Sequence, residues 1–206
     1  MRDIEERLRR EAGATTGGGA RQAAELFAPA ADQAGLVDLA YATLDSPLGT
    51  LVGVVSSRGL VRLAYEDGRC DEVLAELARR VSPRLLEMPA RLEPLERELD
   101  EYFAGRRRDF AVPVDLRLAP GFARRVLAAC AKLPYGETSS YGKVARAAGN
   151  ERAARAAGNA LGANPIPIVV PCHRVLHAGG GLGGYTGGLG RKEHLLALEL
   201  GERTES

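Results

Sequence analysis

Pro165, Pro167 and Pro171 bracket an apolar run and stop it one residue short of a cysteine, in Asn164-Pro165-Ile166-Pro167-Ile168-Val169-Val170-Pro171-Cys172-His173-Arg174-Val175. Ile166, Ile168, Val169 and Val170 have strand character, and proline has no N–H to give to a sheet. A buried strand is therefore expected to end at Pro171 and release the chain at Cys172. The thiol is then rigidly held yet reachable. Thiols attack as thiolates, and a free cysteine near its reference pKa of roughly 8.5 needs a base, a cation or a helix N-terminus to react near neutrality. His173 and Arg174 stand next to it. For the Cys-His pair alone, the plainer reading is a structural cysteine beside a chance histidine.

The residues around the pair change that balance. Asn164-Pro165-Ile166-Pro167 lies upstream. Downstream come the glycine-rich stretch 179–184, Tyr185-Thr186-Gly187-Gly188-Leu189, and Arg191-Lys192-Glu193-His194-Leu195-Leu196-Ala197-Leu198-Glu199. In this order and spacing the segments resemble the O6-alkylguanine-DNA alkyltransferases, also called methylated-DNA–protein-cysteine methyltransferases. The resemblance spans roughly residues 41–199 and is most specific over 134–199.

The three cysteines, Cys70, Cys130 and Cys172, are an odd number without CxxC spacing, which points away from a disulfide framework and a cysteine-rich zinc site. Some members of the family carry a zinc in the first domain. Here Cys70 is the only cysteine before Cys130 and every histidine lies beyond Cys172, so neither metal nor cofactor is expected. The chain shows no apolar run of membrane-spanning length, and residues 1–10 alternate charges where a signal peptide would be apolar, so a cytoplasmic location is expected. A net charge of +1 argues against coating nucleic acid by bulk electrostatics. Between Tyr141 and His177, however, Lys143, Arg146, Arg152, Arg155 and Arg174 face a single anion, Glu151, as expected of a small basic footprint.

Along the chain, residues 1–36 read as an appendage with a charged helical start and a Thr-Thr-Gly-Gly-Gly break. Period-two and apolar runs at 39–44, 51–55 and 60–65, separated by turns, predict an antiparallel meander. Helical spacing follows over 70–81 and 91–103, then 120–133. Ser139-Ser140-Tyr141 opens a short helix with serine as N-cap, Gly149-Asn150 breaks it, and 151–161 is expected to be a second helix, completing a helix-turn-helix unit. That second helix carries Arg152, Arg155 and Asn159 on one face and is otherwise nearly bare alanine. Major-groove readers need several long polar side chains, so a slim helix suits the minor groove instead.

The resemblance implies an α+β fold: an N-terminal ribonuclease-H-like α/β domain over 37–115, acting as a scaffold, and a C-terminal helical, winged helix-turn-helix-like alkyltransferase domain over 116–202. It implies direct-reversal DNA repair by a monomer acting on double-stranded DNA. After the nucleotide is flipped, an alkyl group passes irreversibly and stoichiometrically from O6-alkylguanine, or O4-alkylthymine, to Cys172. His173 would serve as base through a water, with Glu199 orienting the imidazole, and Asn164 would tie the turn to the active-site backbone. Arg155 would fill the gap left by the base, and Tyr141 would bond the guanine ring nitrogen. Ser140, Arg152, Val175, Tyr185 and Thr186 complete the DNA- and base-binding set. Taken singly, Glu199 reads as a solvated helix end and Asn164 as an ordinary turn former.

Three rivals remain: a lesion sensor that has lost its cysteine, disfavoured by Cys172; a sequence-reading regulator, disfavoured by the small residues of the second helix; and a cysteine hydrolase. Neighbours in an extended segment point apart, which disfavours a direct thiol–imidazole contact for the last.

Overall fold

The computed structural model describes residue 28 and residues 30–201. The expected helical start at 1–10 and the glycine break at 15–19 lie outside the described residues. Ala28 and Ala31 are buried, and Asp32 meets Arg91 at 3.3 Å, so the end of the expected appendage is tied to the folded body.

The meander forms as expected: β1 (Leu39–Leu44), β2 (Leu51–Ser56) and β3 (Gly59–Tyr65) pair antiparallel in sequence. A short strand the pattern did not reveal, β4 (Leu85–Glu87), adds parallel to β1 and gives the order β3-β2-β1-β4. Both faces of the sheet are covered, which is why β2 is buried at every position. Leu39, Val52, Val54 and Val61 pack with Val73 and Leu77 of α1 (Cys70–Arg80), whose buried pair repeats at four residues. Asp71 and Glu72 in its first turn and Arg79 and Arg80 in its last complement the helix dipole. The opposite face meets Leu95, Leu99 and Tyr102 of α2 (Glu93–Phe103) in a core that continues into the second domain.

That second domain holds α3 (Gly121–Cys130), α4 (Tyr141–Ala147), α5 (Ala154–Gly162) and α6 (Leu189–Leu200). Ser140 caps α4, its side chain accepting from Lys143 N at 3.3 Å. The second helix of the pair starts later than the residue pattern predicts. The Asn150 side chain accepts from Arg152 N and its carbonyl from Ala153 N, closing a turn that defers the helix to Ala154. Arg152 therefore sits in an exposed turn, off the helical face expected to carry it with Arg155 and Asn159.

The strand expected over 166–170 is absent. Residues 164–171 form a stack of tight turns, with Val170 N bonded to Ile166 O and Cys172 N to Val170 O. Ile168, β-branched and buried, is held at φ +71, a conformation worth about 1–3 kcal/mol of strain. The physical reason is Asn164. Its amide donates to Val170 O at 2.8 Å and its carbonyl accepts from Ile166 N at 3.0 Å, so a side chain satisfies the backbone groups a neighbouring strand would have taken. Pro165 O accepts from Leu63 N of β3, docking the turn on the first domain. A single turn of 3-10 helix, Cys172–Arg174, follows Pro171. Then β6 (Val175–Leu176) pairs parallel with β5 (Ser139–Ser140), fastening the Cys172 segment to the start of α4. No helix among the described residues is long and apolar enough to cross a membrane.

Candidate active site

Cys172 is only 4% exposed, and Asn164 Nδ2 lies 3.1 Å from its sulfur. Burial pushes the thiol up to about 11, against the lowering effect of the Asn164 bond and of the nearby Lys192 charge. The free protein thus keeps its thiol protonated at neutral pH, and attack requires a group to take that proton.

His173 is fully buried behind it. Its Nε2 is 2.9 Å from Glu199 Oε1, while Nδ1 is buried with no hydrogen-bond partner among the described residues. Burial lowers the imidazole pKa, outweighing the Glu199 charge that raises it, so the ring is neutral at pH 7. With Nε2–H donating to the carboxylate, Nδ1 is left as a proton acceptor.

Glu199, near the end of α6, is the hub. Besides His173, its carboxylate accepts from Tyr102 Oη at 2.7 Å, from Arg174 Nε and Nη2 at 2.8 Å each, and from Gly136 N at 3.1 Å. Burial works to raise its pKa, but the bonds from His173 and Arg174 overcome that and hold it at about 2. Tyr102 is a partner of Glu199 that the residue pattern does not predict. The charge pattern places Arg174 among the cations of a basic footprint, whereas the structure buries it against Glu199, where it also donates to Leu133 O. Arg146 is matched by Glu151, so among the described residues the cations of this region without an ion-pair partner are Lys143, Arg152 and Arg155, fewer than the residue count implies. A buried tyrosine hydroxyl and a buried guanidinium each need a partner, and that requirement is the signal that could have led to both.

Tyr141, Arg155 and Tyr185 line one cleft of about 620 Å³ together with Gly158, Asn159 and His177. Gly183, at φ +66, lets the glycine loop pass over Tyr141, where a Cβ would come within 2.3 Å of the hydroxyl. Tyr185 also reaches the thiol's surroundings, its ring 6.4 Å from that of His173. Three further expected residues lie outside the lining of this cleft. Val175 buries its side chain completely and gives its carbonyl to Lys192 Nζ at 2.7 Å; Thr186 bonds Gly162 O at 2.9 Å and faces a neighbouring cleft shared with Arg62 and Tyr65; and Ser140 is occupied as a helix cap. Among the described residues no group of three or more His, Cys, Asp or Glu could hold a metal ion.

Fold and site define a class: a buried thiol next to a hydrogen-bonded His–Glu pair, in a domain that carries a helix-turn-helix unit. Residues 39–116 match the family described as 6-O-methylguanine DNA methyltransferase, ribonuclease-like domain, and residues 121–201 match its DNA binding domain. Among relatives, the methylated-DNA–protein-cysteine methyltransferase of Mycolicibacterium paratuberculosis is 44% identical over 77% of this chain and 91% of its own length. That of Methanosarcina acetivorans is 38% identical over 77% and 97%. The crystal structure of Mycobacterium tuberculosis OGT in complex with DNA superposes with a TM-score of 0.68 at 40% identity, covering 79% of this chain and 94% of that one. The chain belongs to the methylated-DNA–protein-cysteine methyltransferase family.

Proposed function

We propose that the chain repairs DNA by direct reversal, moving an alkyl group from O6 of guanine, or O4 of thymine, to the sulfur of Cys172 once per molecule. The observation that carries this reading is the buried thiol held by Asn164 beside the His173–Glu199 relay, next to a cleft lined by Tyr141, Arg155 and Tyr185. The M. tuberculosis relative solved with DNA supports the choice of substrate.

An O6-alkyl group inside a duplex is out of reach, so the nucleotide must rotate into the cleft. Arg155, exposed on α5, would occupy the space the base leaves, and Lys143 and Arg152 would meet phosphates. The small residues of α5 favour the minor groove, where a repair protein needs little sequence information. In the cleft, Tyr185 packs on the base and Tyr141 donates its hydroxyl to the ring nitrogen. The thiol proton passes through a water to His173 Nδ1, and Glu199 stabilises the imidazolium. Sulfur then attacks the alkyl carbon in line. The bond from carbon to O6 breaks, its electron pair stays with the guanine, and a proton returns to N1 as the base regains its keto form. Overall the proton lost by the thiol is gained by the guanine, and the thioether offers water no route back. We assign these steps to a cytoplasmic monomer without metal or cofactor, with domains at 37–115 and 116–202.

Titration tests the proposal. Increasing duplex O6-methylguanine should be demethylated up to one equivalent per protein and no further, with Cys172→Ala inert. Turnover beyond one equivalent, or tight binding without transfer, contradicts it.

A further inference from the structure

Tyr65 ends β3 in the first domain, yet its side chain supports the pocket wall of the second. Its hydroxyl lies 3.0 Å from that of Tyr185, and the rings meet edge to face at 6.4 Å. Burial pushes both phenols above their ordinary values, Tyr65 to about 12, so both remain protonated and the contact is a neutral hydrogen bond. The ring also fills the space beside Gly187, where a Cβ would fall 2.2 Å from Cε2. Arg191 covers the Tyr65 ring at 4.0 Å, donates to Asp67 at 2.8 and 2.7 Å, and reaches Gly187 O at 3.3 Å and Leu48 O at 3.1 Å. A glycine-rich segment without helix or strand has little to fix it on its own. Here residues 185–187 are fastened to the first domain by a hydroxyl pair, a packed ring and a clamped guanidinium.

We infer that Tyr65 is a positioning residue that sets the size of alkyl group the pocket accepts, by holding the Tyr185 wall so that bulky groups must displace it while small ones fit. The inference rests on the repair reading, in which Tyr185 packs against the flipped base. It also gives the first domain a part in specificity beyond scaffolding.

The test compares two duplexes, one carrying O6-methylguanine and one carrying O6-benzylguanine, and reads the ratio of their second-order rate constants for alkylation of Cys172. Tyr65→Phe keeps the ring and the Arg191 contact and removes only the hydroxyl. It should raise the benzyl-to-methyl ratio about fivefold, the size of one hydrogen bond's net contribution, with the fold retained and the unfolding temperature lowered by only a few degrees. Tyr65→Leu removes the ring as well and should raise the ratio further. A merely structural role would slow both reactions together and leave the ratio alone. An unchanged ratio in both variants, with methyl transfer intact in the wild type, overturns the inference and leaves the repair reading standing. A wild-type protein that transfers neither group overturns both.

Discussion

Glu199→Gln should slow alkyl transfer about 100-fold, equally on duplex DNA and on free O6-benzylguanine, and should lower stability by about 3–5 kcal/mol. The glutamine fits the space, but its NH2 group confronts donors from Arg174, Tyr102 and His173 that all converge on the carboxylate. Arg174 is left as a buried cation without its anion, and His173 loses the charge that stabilises its protonated form. Single-turnover kinetics and thermal unfolding check the two effects. Wild-type rates in the variant would contradict the relay. The same carboxylate makes stability depend on acid. Its folded pKa, about 2, lies below the ordinary value of 4.5, so its contribution is complete above 4.5 and disappears as pH falls from there through 2. The difference corresponds to on the order of 3 kcal/mol. Acid unfolding of Glu199→Gln should lack that component.

Arg155→Ala should cut transfer from duplex DNA about 100-fold and leave the reaction with free O6-benzylguanine within about twofold. Holding a nucleotide out of the stack is worth a few kcal/mol, and the free base is already outside it. Arg155 is exposed on α5 and lines the same cleft as Tyr141 and Tyr185, apart from the His173–Glu199 relay. Parallel kinetics on the two substrates separate its role from chemistry. Equal losses on both would show that Arg155 acts on the pocket and not on the duplex.

The grouping of Asn164, Cys172, His173 and Glu199 was legible in the residues because they follow one another at a spacing that carries a specific resemblance. The geometry then brings all four together. The three main strands were legible because β1 and β3 alternate in burial and β2, buried throughout, is a continuous apolar run between turns, whereas β4, at three residues, is too short to show either pattern. The conformation ahead of Cys172 departs from the expected strand for a physical reason. An apolar run between prolines fits a strand as well as a turn stack, and only the hydrogen bonds of the Asn164 side chain decide between them. Arg174 was misplaced because counting charge along the chain ignores burial. Tyr65 and Tyr102 were invisible as site residues because they come from the other domain, at 120 and 97 positions from Tyr185 and Glu199, their respective partners.

The central claim is that Cys172 is a single-use acceptor of an alkyl group from DNA. The most direct measurement is the mass of the intact protein, and of its Cys172 peptide, after incubation with duplex DNA carrying O6-methylguanine. The expected result is a gain of one methyl in place of the thiol hydrogen, confined to Cys172, stoichiometric with the guanine restored, and absent in Cys172→Ala. An unmodified Cys172 in a folded protein that binds the duplex, or a methyl group found on Cys70 or Cys130 instead, would contradict it.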